Sequence, residues 1–188
     1  MLHENSQRLI DEWQRQTPHG ARLPQRTAMS PMGFGPLLSQ LFILGCDRSG
    51  RARFRLAGGM VSDLHGRDLR DAEFGPLWQR DQRHRLQVRL DEARATARPL
   101  ALHATSESLH GTRLDLEITL APLEGPGGEA DRFIGLYQLR APTPFLTGRP
   151  VAQLSLVSTR WIETQARHGA SGSEPHLRLV VNNGRRVA

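Results

Sequence analysis

The stretch Arg51-Ala52-Arg53-Phe54-Arg55-Leu56-Ala57-Gly58-Gly59, followed shortly by Leu64-His65-Gly66-Arg67-Asp68-Leu69, decides how this chain is read. From Arg51 to Ala57 the residues alternate, with Arg53 and Arg55 on one side and Phe54 and Leu56 on the other. A period of two marks a strand, and Gly58-Gly59 ends it. Just upstream, Leu41-Phe42-Ile43-Leu44 is a short apolar run. The residues between, Asp47-Arg48-Ser49-Gly50, carry turn chemistry, so the two runs read as a hairpin.

Downstream the pattern changes. Val61, Leu64, Leu69, Phe74, Leu77 and Trp78 are spaced for short helical turns, broken by Gly66, Gly75 and Pro76. From Asp81 to Ala97 the spacing of Leu86, Leu90, Ala93 and Ala97 predicts one long helix, which Arg98-Pro99 closes. Three strands follow. Residues 100–105 form the first. In the second, Leu114, Leu116, Ile118 and Leu120 alternate with Arg113, Asp115, Glu117 and Thr119, which predicts one buried face and one wet face. The third, Arg132 to Arg140, alternates less and so is expected at the sheet centre or covered on both faces.

At the N-terminus, residues 3–16 read as a helix with Leu9 and Trp13 on one side. Thr17-Pro18-His19-Gly20 stops it, and a proline- and glycine-rich connector runs to about residue 36, with Ser30-Pro31 able to open a short helix through Leu38. The expected organisation is therefore a helix and connector over 1–36, a core over 37–141, and an extension over 142–188. Within the extension, a short helix is expected near Thr159–Gln165, disorder over 168–175, and a last strand or docking peptide at Leu177-Arg178-Leu179-Val180-Val181.

Composition bounds the function classes. The chain has 188 residues, enough to bury a core without disulfides or metal. It has one cysteine, Cys46, and no apolar run long enough for a membrane helix; no secretory signal is visible, and the cytoplasm is the expected location. The net charge is +6, and all 25 basic residues are arginine. A chain with no lysine at all points to a compositional habit more than to a binding surface. The region of the last three strands is itself acidic, with six acids against three arginines over 100–140. With no helix-turn-helix pattern and no interleaving of basic and aromatic residues, nucleic acid is not the expected partner.

The element order, two hairpin strands, short helices, a long helix and three antiparallel strands, resembles that of PAS domains. The resemblance is carried by Arg53 to Gly58 and by Leu64-His65-Gly66-Arg67-Asp68-Leu69, which is similar to the second strand and following turn of that family. His65 stands where phenylalanine or tyrosine is usual. The likeness implies an α+β fold. It has a five-stranded antiparallel sheet in the order 2-1-5-4-3, helices on one face and an added N-terminal helix. The chain also resembles short single-PAS-domain proteins of alphaproteobacteria, through Leu9-Ile10-Asp11-Glu12-Trp13, Leu23-Pro24-Gln25-Arg26 and the strand at Leu41 to Leu44. That likeness covers residues 1–140 and extends to Pro175–Val181. It implies a sensory or adaptor role through protein contacts, in motility or cell-cycle control.

No catalytic set is present. There is no P-loop, GxGxxG, HExxH or GxSxG, so the chain is not expected to be an enzyme. Too few residues follow the core for a kinase or cyclase, so a signal is expected to pass by contact with another chain. Cys46 lies at a strand end without the Asn-Cys-Arg motif of light-sensing members, and reads as structural. His84, on the long helix where haem-binding members ligate iron, lies about 200° from Leu86 and so reads as exposed. His103 reads as solvent-facing, and no His/Cys/Asp cluster has ligand spacing for a metal. No cofactor is expected, and the residues argue against haem and flavin. A small molecule could sit between sheet and long helix, where the candidate walls are Phe54, Leu56, Leu86, Leu90, Leu116, Ile118 and Leu136. The apolar stripe Leu9, Ile10 and Trp13 is the candidate interaction surface, covering either the sheet or a second subunit; a homodimer and other signalling proteins are the expected partners.

Overall fold

Six antiparallel strands form one sheet in the order β2-β1-β5-β4-β3-β6. They are β1 (Leu41–Cys46), β2 (Ala52–Ala57), β3 (Leu100–Ser108), β4 (Arg113–Glu124), β5 (Ala130–Leu139) and β6 (Val151–Trp161). The helices are α1 (Glu4–Gln16), α2 (Gly59–His65) and α3 (Arg83–Thr96), with tight helical turns between them. The structure, a computed structural model, describes residues 1–108, 111, 113–140 and 150–164. The expectations for 168–175 and for Leu177–Val181 lie outside the described residues.

The first five strands follow the expected order. The sixth departs from it: where a short helix was expected near Thr159, the chain continues as β6 and pairs with β3 along Leu100↔Trp161 to Ser108↔Val151. The β-branched Val151, Val157 and Thr159, with Leu154 and Leu156 two apart, favour an extended chain once β3 offers a free edge. The open edge of β6 is partly satisfied by the turn before α3. There Gln79 N–H donates to Leu154 O at 2.9 Å, and Leu156 N–H donates to Gln82 Oε1 at 2.5 Å.

Both faces of the sheet are covered, so there are two apolar cores. On one face α2 and α3 press Val61, Leu64, Leu86, Leu90 and Ala93 against Phe42, Phe54, Leu116, Ile118 and Phe133. On the other, α1 and the connector bring Leu9, Ile10, Trp13, Leu23 and Phe34 against Ala121, Leu123, Ile134 and Leu136. This explains the weak alternation of β5. It also limits the wet face expected for β4 to Arg113 and Asp115, which are exposed, because Glu117 and Thr119 lie beneath α1 at 5% and 0% exposure.

The start of α1 and the end of α3 have chemical causes. His3 caps α1, its Nδ1 accepting from Asn5 N–H at 3.1 Å, and Glu117 Oε1 accepts the His3 N–H at 2.9 Å across the sheet. Trp13 Nε1–H donates to Pro122 O at 2.7 Å, so the indole is anchored at both its apolar and its polar edge. The helix α3 ends one residue before the expected Ala97, which adopts φ 55 as the left-handed cap ahead of Arg98-Pro99. Gly135 interrupts the apolar run of β5 because the Phe42 ring lies directly over it, and a Cβ there would overlap the ring.

Candidate functional site

The space between the sheet and α2–α3 is where the sequence placed its candidate ligand walls, and it is filled by aromatic rings. Phe42 and Phe54 come from the β1–β2 hairpin, Phe74 and Trp78 from the turns before α3, and Tyr137 from β5; all five are 0% exposed. Phe42 is the hub, with centroid distances of 5.7 Å to Phe54, 6.1 Å to Phe74 and 5.3 Å to Tyr137. Phe74 meets Trp78 edge-on at 5.6 Å. These spacings are those of packed aromatic contacts, each worth about 0.5–1.5 kcal/mol beyond area burial.

Three polar groups enter this apolar layer. His65, the last residue of α2, turns its ring edge-on to Tyr137 at 5.8 Å, with Nε2 3.3 Å from the Tyr137 hydroxyl. Gly66 positions it: at φ 62 this glycine caps α2, and any side chain there would run into Pro150 at the start of β6. Burial, aided by the nearby Arg67 charge, lowers the His65 pKa to about 4, so the ring is neutral near pH 7. Burial likewise pushes the Tyr137 hydroxyl well above its ordinary range. The third group is the Trp78 indole N–H, which is buried and meets no acceptor among the described residues.

The sequence candidates divide. Phe54, Leu86, Leu90, Leu116 and Ile118 do converge in this core. Leu56 and Leu136 do not. Leu44 faces Phe54 and Ile43 faces Leu56, so Arg55 is left over as a bulge in β2. The extra residue puts Arg55 and Leu56 on the same outer side, leaving Leu56 46% exposed. Leu136 follows Gly135 and points with Ile134 to the opposite face, under α1, where it pairs with Leu41. The interaction candidates Leu9, Ile10 and Trp13 are likewise spent within the chain, at 0%, 1% and 4% exposure against the sheet. Of the two occupants left open for that stripe, it is the chain's own sheet that takes it.

His65, Tyr137 and Trp78 were not among the candidates. The usable signal was His65 itself, an ionisable ring where an aromatic one is usual. The remaining reactive groups are quiet. Burial raises the Cys46 thiol to about 11, which keeps it from acting as a thiolate near neutrality. His84 is exposed, and His103 pairs with Asp115 at 2.5 Å on the α1 side of the sheet. Among the described residues no group of His, Cys, Asp and Glu is arranged to hold a metal, and no helix is long and apolar enough to cross a membrane.

A family profile described as PAS domain matches residues 1–138. Among solved structures, the chain is similar to the Rhodobacter sphaeroides LOV protein, at 15% identity and a TM-score of 0.45, covering 62% of this chain and 71% of that one. It is similar also to an RsLOV variant, at 15% identity and a TM-score of 0.44, covering 57% of this chain and 63% of the other. No curated protein matches the sequence. With the profile spanning well over half of its length, from α1 to the end of β5, the chain belongs to the PAS domain family.

Proposed function

We propose that this PAS domain is a non-catalytic sensory and adaptor module that works by protein–protein contact, without haem or flavin. The observation that carries the reading is the aromatic layer of Phe42, Phe54, Phe74, Trp78 and Tyr137, fully buried side chains that pack against one another between the sheet and α2–α3. Its partners in this reading are a second copy of the chain and other signalling proteins. Motility and cell-cycle control, implied by the sequence resemblance, are the processes in which to seek them. Cytoplasmic residence belongs to the same reading and rests on cysteine usage. Native mass spectrometry of the purified protein, with an absorption spectrum, tests it. The expected result is a mass accounted for by the polypeptide alone or its multiples, with no band above 300 nm. A retained chromophore would overturn the proposal.

A second reading is favoured by one specific observation. Trp78 Nε1–H meets no acceptor among the described residues, while His65 and Tyr137 supply a polar pair in the same core. A buried unpaired donor costs about 1–3 kcal/mol, and a small colourless ligand with an acceptor atom would recover it. Extra mass lost on denaturation, without any visible absorption, is the result that would select this reading.

A further inference from the structure

A groove of about 600 Å³ on the described surface lies away from the aromatic core. Connector residues Arg22 and Leu23, the last turns of α3 with Asp91 and Arg94, and the β4–β5 turn with Glu124 and Glu129 form its walls. Its floor is made of small apolar groups, including Ala95, Ala97, Gly128 and Ala130. Both arginines are already engaged: Arg94 Nε–H donates to Ala130 O at 2.7 Å, and an Arg22 guanidinium N–H donates to Ala95 O at 3.1 Å. The end of α3 adds the partial negative charge of a helix C-terminus. The groove therefore offers a small-residue floor with acceptors along its rim, suited to a strand-like segment that is apolar on one side and cationic on the other.

A second depression of about 290 Å³ continues the groove, sharing Ala21, Arg22 and Ala97 with it, and at its far side stands Thr164. Thr164 is also the last described residue before the segment 165–188. That segment holds Arg167, Arg178, Arg185 and Arg186 against the single acid Glu174, and in it Leu177 and Leu179 flank Arg178. We propose that this groove is the docking site of the chain's own C-terminal segment, with Leu177-Arg178-Leu179 set on the small-residue floor and the arginines against Glu124 and Glu129. Reach is no obstacle, since the residues between Thr164 and Leu177 span up to about 45 Å when extended.

The test uses the full-length chain carrying a nitroxide on Asn182→Cys in a Cys46→Ser background. The expected result is loss of amide signal at Ala21, Ala95 and Gly128. It should persist on dilution, be absent when labelled and unlabelled chains are mixed, and disappear in Glu124→Arg/Glu129→Arg. No loss at these amides overturns the proposal. So does a loss seen only between different chains, which would make the groove a contact between copies. Hydrogen exchange on the native chain gives a reading free of the cysteine change. Amides of residues 21–23 are expected to exchange faster at high salt, where the ionic part of the docking is screened, and unchanged exchange counts against it.

Discussion

His65 and Tyr137 meet at right angles across the gap between α2 and β5, with the imidazole Nε2 3.3 Å from the phenol oxygen. The pair joins the short helix α2 to β5 of the sheet. It also makes the domain's stability a function of pH. The folded chain holds His65 neutral down to about pH 4, whereas an unfolded chain protonates it near 6.5. Between those values the unfolded state binds more protons, so this contribution is fully present above about pH 6.5 and is lost as pH falls toward 4.

The expected size of the loss between pH 7.5 and 5 is about 2 kcal/mol from this one group. The His65→Phe variant restores an aromatic ring without a titrating nitrogen, and it should unfold in denaturant with a shallower pH dependence than the parent. Carboxylates and other histidines titrate in both chains, so the difference between the two curves is the readout. Parallel curves would show that His65 is not held neutral by burial.

The bulge in β2 predicts opposite fates for two leucines that look alike in sequence. Leu136→Ala should cost about 2–5 kcal/mol, because Leu136 is fully buried between α1 and the sheet. Leu56→Ala should stay within about 0.5 kcal/mol, since Leu56 is nearly half exposed beyond the bulge. Urea midpoints measure both, and equal losses would contradict the register of the β1–β2 pair.

These two residues also mark where the sequence stopped being legible. Hairpin and long helix follow from periodicity, because a side chain's face is fixed by its spacing along a regular element, whereas the order of the first five strands came from the resemblance to PAS domains. A bulge breaks that rule with one residue and leaves no mark in composition, so Leu56 was placed with Phe54 although Arg55 had shifted the phase. Leu136 was misplaced for another reason: β5 is buried on both faces, and its apolar run says nothing about which core each residue joins. The strand β6 is set by the free edge of β3, a tertiary partner outside its own sequence window. Within the site, Phe54, Leu86, Leu90, Leu116 and Ile118 were readable as core, while the placing of His65 and Trp78 depends on how α2 and the pre-α3 turn sit against the sheet, which no local pattern encodes.

Gly135→Ala should destabilise the fold by about 1–3 kcal/mol, because the new methyl would overlap the Phe42 ring that lies on this glycine. Phe42→Leu alone loses aromatic contacts with Phe54, Phe74 and Tyr137. Combined with Gly135→Ala it opens space for the methyl, so the double variant should be more stable than the sum of the two single losses. A double-mutant cycle in urea measures that coupling, and strict additivity would mean that the ring and the glycine are not in contact.

Removal of residues 1–16 tests the second core. It strips Leu9, Ile10 and Trp13 from the sheet and uncovers Leu123, Ile134 and Leu136, all now buried. It also leaves the Pro122 carbonyl without the Trp13 indole donor and the Glu117 carboxylate without the His3 N–H. A contiguous apolar sheet face bared to water recruits any apolar surface available, and other copies of the shortened chain are the nearest source. Light scattering is therefore expected to show species larger than those of the full chain at equal concentration, together with a lower denaturation midpoint. The point variant Trp13→Phe keeps most of the apolar cover but deletes the N–H, and should cost about 1–3 kcal/mol without changing the mass distribution. If the shortened chain instead keeps the size and stability of the parent, α1 is not what shields this face.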